Sequence, residues 1–111
     1  MKFLMLVVTD PDLTTAEEGP ITIEEWVAET YDRGLAIEGD RLRPPADAVT
    51  IRRRGGRVTV TDGPSGGTGA YIAGYDILDV DSLEQAIEIA SRHPQATGGT
   101  IELRPCWPLD L

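Results

Sequence analysis

Cysteines and long apolar runs are scarce in this 111-residue chain, and each scarcity excludes a class of protein. Cys106 is the only cysteine, so no disulfide can form within the chain and a disulfide-stapled secreted scaffold is excluded. The apolar start, Met1 to Val8, is too short to span a membrane and lacks the charged beginning and cleavage site of a signal peptide. We therefore expect a cytoplasmic protein with no membrane association.

Basic residues are also scarce, since ten Lys and Arg stand against nineteen Asp and Glu for a formal net charge of -9. The only basic cluster, Arg52 to Arg54 with Arg57, flanks Gly55-Gly56, a sequence typical of a hairpin tip and not of a groove-reading surface. An acidic chain without a basic face repels phosphate backbones, which predicts no nucleic-acid partner. Metal-ligand clusters and nucleotide-binding motifs are missing from the sequence too, so we expect neither a metal nor a cofactor.

Two helices are predicted from capping residues and apolar periodicity. Thr22 to Glu25 reads as a capping box, and an apolar stripe follows at helical spacing until Gly34 ends the helix. Asp81 or Ser82 caps a second helix, in which Leu83, Ala86, Ile87 and Ala90 share one face and which ends near His93-Pro94.

Six strands are predicted around these helices, and a loop is predicted over 10–20. The strands are Phe3–Val8, Leu35–Leu42 (weakened by a break at Gly39), Val49–Arg53, Arg57–Thr61, Tyr71–Val80 and Thr100–Arg104. The middle pair alternates apolar and polar residues on either side of Gly55-Gly56, as hairpins do. The order predicts one α+β domain over 1–111, a split βαβ pattern with an inserted β-hairpin.

Two helices can cover only one face of such a sheet. Because Phe3 to Val8 is apolar on both faces, we expect the second face to be hidden by another copy of the chain. Face-to-face packing of two sheets would form a homodimer and leave a cleft between sheet, helix and loop.

Several ordered segments resemble the YCII-related family, in its DGPF-type branch. They are Val49-Thr50-Ile51-Arg52, Val60-Thr61-Asp62-Gly63-Pro64, Gly74-Tyr75, Asp81 to Ala86 and Glu102-Leu103-Arg104-Pro105, together with Gly39 to Pro44. The resemblance implies a ferredoxin-like, dimeric α+β barrel. Some relatives are proposed enzymes with a His-Asp pair in the barrel cleft, and DGPF-type genes often neighbour sigma-factor genes. Ser65 stands where that branch usually has Phe, and no early His is present.

Asp62 is the candidate catalytic residue. It ends a strand before a Gly-rich turn, where its carboxylate could act as a general base. Alternatively, Asp62-Gly63-Pro64 only forms a turn, in which the Asp62 carboxylate accepts hydrogen bonds from nearby backbone amides. Three candidate substrate-binding residues are Ser65, Tyr71 and Arg104, whose guanidinium could hold a carboxylate or pair with Asp62.

Three further residues are expected to be structural. His93 is interpreted as a surface or capping histidine whose charged form the helix C-terminus favours. Cys106 is expected to be a buried small hydrophobe, and Trp107 to belong to a core or interface.

Two functions remain open on this reasoning. One is a cleft that binds a small organic molecule, with cofactor-free acid-base catalysis of an enolisable or aromatic substrate. The other is a non-catalytic regulatory or protein-interaction module. The residues do not decide whether the protein is an enzyme.

Overall fold

A four-stranded antiparallel sheet with two helices on one face forms the body of the protein. The computed structural model describes residues 1–10, 18–66 and 69–110. The helices are α1 (Ile23–Tyr31) and α2 (Leu83–Arg92), and the strands are β1 (Lys2–Thr9), β2 (Ala36–Arg41), β3 (Val49–Arg54), β4 (Arg57–Asp62), β5 (Tyr71–Asp79) and β6 (Thr100–Pro105). The α+β class predicted from the sequence is confirmed, whereas most of the loop predicted over 10–20 lies outside the described residues.

The sheet has the strand order β2-β5-β1-β6, with every neighbouring pair antiparallel. The first strand is therefore central, paired with β5 on one side and β6 on the other. Within the part of the chain that the structure describes, strands β3 and β4 pair only with each other and form a separate two-stranded sheet that turns at Gly55-Gly56. Both glycines have positive φ angles, 56° and 78°, which side-chain-bearing residues rarely adopt.

Both helices begin at the capping residues expected from the sequence. Thr22 accepts a hydrogen bond from the Glu25 amide at 3.1 Å while the Glu25 carboxylate accepts one from the Thr22 amide, a complete capping box. Ser82 accepts from the Gln85 amide at 3.1 Å and so starts α2. Each cap satisfies amides that a helix start would otherwise leave unpaired.

The hydrophobic core lies between the helices and one face of the sheet, here called the front face. Its members are Phe3, Met5, Val7, Trp26, Ala36, Leu78, Val80, Ala86, Ile89 and Ala90. Side chains alternate across a strand, so Leu4, Leu6 and Val8 point to the back face, where they are only half-buried. The sequence predicts that β1 is covered on both faces. Within one chain, only the side chains on its front face are fully buried.

The expectations for Gly39 and Cys106 are wrong, and of the two places expected for Trp107, a core or an interface, the core of the chain is excluded while the interface stays a prediction. Gly39 does not break its strand but lies inside β2, paired with Asp76. Cys106 is exposed, because the chain leaves the sheet after β6. Trp107 belongs to the same departing tail and is 94% exposed, so it is not part of the core of the chain.

Candidate functional site

A cavity of about 670 Å³ opens on the front face between α1, the β2-β5 half of the sheet and the segment after α2. Apolar side chains such as Trp26 and Val27 form part of its wall. The polar residues that line it come from distant parts of the sequence: Thr9, Tyr31, Asp40, Arg41, Tyr75, Asp76, His93 and Gln95. A mostly apolar cavity with a few convergent polar groups is the usual form of a small-molecule site.

Tyr31 and Asp76 meet in this cavity. Tyr31 is the last residue of α1, and Asp76 lies in β5 on the same face as the buried Leu78. The Tyr31 hydroxyl donates a short hydrogen bond to Asp76 Oδ1. A carboxylate in the middle of a strand, on the face turned to the core, therefore has its Oδ1 held by a tyrosine from α1.

Gly39 allows this pair to form. It lies opposite Asp76 in the neighbouring strand β2. A Cβ atom at position 39 would come within 2.5 Å of both Tyr31 Oη and the Tyr75 carbonyl oxygen, and it would also collide with Asp76 Oδ1. The glycine thus provides the space in which the tyrosine and the carboxylate meet.

Burial perturbs the proton affinity of both partners. Loss of solvent raises the pKa of the Asp76 carboxyl, the Tyr31 hydrogen bond lowers it in part, and the charge of Asp40 raises it further. Burial also raises the pKa of Tyr31, and the hydrogen bond to Asp76 and the charge of that carboxylate add to the effect. Tyr31 consequently remains a neutral donor, and Asp76 binds a proton more tightly than an exposed aspartate does.

His93 contributes a hydrogen-bond donor to the same cavity. It follows α2 in an extended conformation, as expected before Pro94, and only 5% of its surface is exposed. Its Nδ1 accepts a hydrogen bond from the Gln95 amide at 3.0 Å, so the ring proton sits on Nε2. Among the described residues no fully buried side-chain nitrogen or oxygen lacks a partner, and His93 is one of the residues that line the cavity.

The protonation state expected for His93 is wrong. Burial lowers its pKa, which favours the neutral ring at neutral pH, whereas the sequence suggested a charged surface residue. The ring packs edge-on against Trp26, with centroids 4.7 Å apart, and this apolar contact removes the solvent that would stabilise a charge. It does cap a backbone amide, as one of the sequence interpretations allowed.

The helical wall of the cavity is fixed by contacts between α1 and α2. Trp26 Nε1 donates to the Ile89 carbonyl at 2.9 Å in the core. On the outer side, Arg92 donates two hydrogen bonds, of 2.7 and 2.9 Å, to the Glu29 carboxylate. This two-point contact lowers the pKa of Glu29 and raises that of Arg92.

Two of the four residues singled out from the sequence lie together, in a second cavity. Ser65 and Tyr71 line this space of about 1040 Å³, which adjoins the first along Asp40 and Tyr75. Asp62 ends β4 as an exposed residue of the two-stranded sheet and does not line either cavity.

Arg104 lies on the back face of the four-stranded sheet, opposite Leu4 in the strand pairing. Its Nη1 is 3.4 Å from Glu102 Oε2, so its partner within the chain is Glu102 and not Asp62. The structure therefore does not bring Asp62 and Arg104 to the cavity that holds Tyr31 and Asp76.

Sequence reasoning missed Tyr31 and Asp76 as site residues. From the sequence, Tyr31 is only one of the apolar-stripe residues of α1, and Asp76 is only one residue of the predicted strand Tyr71–Val80. One signal was available: counting by twos from Leu78 places Asp76 on the buried face, where an unpaired carboxylate is costly. Its partner could not be named without the register of β2 and β5.

The architecture is that of a small α+β domain with a polar pair in a cavity beneath its first helix. A family model, the YCII-related domain, matches residues 1–110, and the chain belongs to this family. A curated relative is the uncharacterized protein R00369 of Rhizobium meliloti (strain 1021), 34% identical over 67 residues. The match covers 59% of the chain and 54% of the relative, so it spans about half the length of that protein.

Neither a metal-binding cluster nor a membrane-spanning helix occurs among the described residues. No group of three or more His, Cys, Asp or Glu within 1–10, 18–66 and 69–110 is arranged to hold a metal ion. None of the helices in that part of the chain is both long and apolar enough to cross a bilayer.

Proposed function

We propose that the protein binds a small carbonyl compound in the cavity beneath α1 and catalyses cofactor-free proton transfer at the carbon next to the carbonyl. The single observation that carries the proposal is the Tyr31-Asp76 hydrogen bond in a cavity that His93 also lines. These residues supply a base, an anchor for that base and a neutral donor, which are the groups that enolisation requires.

Each group has one role in this reaction. The free oxygen of the Asp76 carboxylate takes a proton from the α-carbon, and the electron pair of the broken C–H bond moves onto the carbonyl oxygen. The Nε2-H of neutral His93 donates a hydrogen bond to that oxygen as negative charge develops on it. Tyr31 holds the other carboxylate oxygen and so orients the base. A raised carboxyl pKa combined with a neutral histidine suits this division of labour.

The charge around the cavity favours an uncharged substrate. Asp40 lines the cavity beside Asp76, and Glu38 lies on the same strand two residues before Asp40. The charges of Asp40 and Glu38 both add to the raised pKa of Tyr31, which supports a negative field in this cavity. Among the described residues that line the cavity, Arg41 is the one cationic side chain, and it is exposed. An anionic 2-oxo acid would therefore bind less well than a neutral ketone.

Hydrogen-deuterium exchange tests the chemistry directly. A panel of neutral ketones and β-diketones is incubated with the protein in D₂O, and loss of the α-proton signals is followed by NMR. Wild-type protein should accelerate exchange, and Asp76→Asn should reduce the acceleration at least about a hundredfold, the lower end of what a general base contributes. Tyr31→Phe should retain part of the activity, because it removes only the anchor of the base.

Asp62→Asn is the matched control, since it makes the same chemical change at the aspartate first suggested by the sequence. It should leave the exchange rate unchanged. Loss of exchange in Asp62→Asn together with full activity in Asp76→Asn would transfer the role of base to Asp62. Ser65 and Tyr71 remain proposed contacts for a substrate long enough to reach the adjoining cavity, and Arg104 remains a proposed contact only for a substrate that reaches the back face.

We further propose that the single domain is a ferredoxin-like, dimeric α+β barrel of the DGPF-type branch, with the hairpin β3-β4 as an insertion. The strand order and the antiparallel pairing support this arrangement. So does the half-buried apolar back face, where Leu4 lies opposite Ile77 and Leu6 opposite Tyr75. Sedimentation should give a homodimer at micromolar concentration, and Leu6→Lys should give folded monomers.

A non-catalytic regulatory role is the second candidate, and the exposed β3-β4 sheet is the observation that favours it. All residues of β4 are exposed, including Val58 and Val60, although β4 pairs with β3; exposed aliphatic side chains grouped in this way are typical of a surface that binds another protein. Stoichiometric co-purification of another protein, combined with no exchange activity on any ketone, would favour this role.

A further inference from the structure

The β3-β4 sheet, residues 49–62 and here called the arm, has two unlike faces. The strand pairing places Val49, Ile51, Val58 and Val60 on one face, with Arg53 and Asp62 at its ends. The opposite face carries Thr50, Arg52, Arg54, Arg57, Thr59 and Thr61. The four aliphatic side chains are 51 to 67% exposed, so the apolar face of the arm is exposed to solvent in the single chain.

An arm with an exposed apolar face becomes more stable when another protein surface covers that face. Two strands alone are marginally stable in water, and among residues 1–10, 18–66 and 69–110 the arm pairs with no strand of the main sheet. Arg54 lies directly opposite Arg57, a like-charge pair that destabilises the turn further. The radius of gyration is 16.2 Å, against about 13 Å for a compact chain of this size, because the molecule is flat and extended at 48 × 43 × 19 Å.

The charge of the arm points to the occupant of that face. Residues 49–62 contain four arginines and one aspartate, a net charge of +3 in a chain of formal charge -9, so the other 97 residues carry -12. The complement of a basic, apolar arm is an acidic surface with an apolar centre. The back face of the sheet has an apolar centre, where Leu4 lies opposite Ile77. Glu38 lies beside Ile77 on the edge strand β2, and the one arginine next to Leu4, Arg104, is paired with Glu102.

We propose that the arm of one copy packs its apolar face on a second copy of the chain, along the back-face rim of the partner's sheet, with Arg53 close to Glu38 there. This inference rests on the homodimer proposed above and adds the residues that hold it. The two contacts are related by the dimer axis, so each copy gives one arm and receives one. Charge complementarity sets the position of the arm, and burial of the four aliphatic side chains supplies most of the affinity.

A charge-reversal exchange tests the contact. Arg53→Glu and Glu38→Arg are each expected to raise the dimer dissociation constant at least about tenfold, because each places like charges in both arm contacts. An equimolar mixture of the two variants should recover dimers close to wild-type affinity, since both contacts in the mixed dimer again join opposite charges. Arg52→Glu is the matched control: it makes the same charge change on the opposite face of the arm, and should weaken the dimer much less.

The outcomes separate this inference from the proposed dimer. If wild-type protein sediments as a monomer at micromolar concentration, the dimer itself is refuted. If wild-type protein is a dimer and Arg53→Glu dimerises equally well, only the arm contact is refuted. If both variants are monomeric but their mixture does not form dimers, the pairing of Arg53 with Glu38 is refuted.

Discussion

Replacing Gly39 by alanine tests the geometry of the site without replacing any residue that has a proposed role in the reaction. The added methyl group would lie within 2.5 Å of Tyr31 Oη and the Tyr75 carbonyl oxygen, and the carbonyl cannot move without disturbing the β2-β5 pairing. Tyr31 must therefore swing away from Asp76. Overpacking costs about 1–3 kcal/mol and a hydrogen bond to a charged group contributes about 1.5–3 kcal/mol, so the free energy of unfolding should fall by about 2.5–6 kcal/mol.

Urea denaturation at a fixed protein concentration measures this change, since dimerisation would make stability depend on concentration. Gly66→Ala is the control, because a methyl group at position 66 would meet no atom within 4 Å and should change stability by less than about 0.5 kcal/mol. In a Tyr31→Phe background the cost of Gly39→Ala should shrink by about 1 kcal/mol or more, since one of its collisions has been removed. Additive effects, or a Gly39→Ala variant as stable as wild type, would refute the proposed close approach.

Three further predictions follow from contacts in and near the core. Burial lowers the pKa of His93, so in the folded protein it should titrate by NMR below about 6.5, the value expected in the unfolded chain. The free energy of unfolding should therefore decrease as the pH falls from about 6.5 to the folded-state pKa. His93→Asn should remove most of this pH dependence. Trp26→Phe leaves the Ile89 carbonyl without its donor and should lower the free energy of unfolding by about 1–3 kcal/mol in urea titrations. Cys106 is exposed, so a chromogenic disulfide reagent should titrate one thiol in native protein at nearly the rate seen in urea, and slow kinetics limited by unfolding would contradict this.

Local signals predicted the elements of the fold well, because capping and alternation act over a few residues. The Thr22 cap and the hairpin turn at Gly55-Gly56 depend only on neighbours in the sequence, and the structure has both a capping box and a turn at these places. Gly39 shows the limit of such reasoning. A glycine in a strand commonly signals a break, but here it makes room for two side chains that come from α1 and β5.

The candidate site was harder to predict because its parts are joined only by tertiary structure. Asp62 attracted attention since it stands in a turn motif, yet it lies on the arm, away from both cavities. Asp76 gained its importance from burial and from the register that brings it opposite Gly39. The protonation of His93 depends on Trp26, 67 positions earlier in the sequence, so no local pattern could indicate it.

The central position of β1 has a consequence for how the chain folds. Both neighbours of this first strand lie far away in the sequence: Leu4 pairs with Ile77 on one side and with Arg104 on the other. During synthesis, β1 therefore remains unpaired, with its apolar side chains exposed, until first β5 and then β6 have left the ribosome. Contacts of such sequence separation slow folding, because a long loop must close before they form. We expect the four-stranded sheet to form only after β6 has been made, and the protein to depend on chaperones when it is produced quickly.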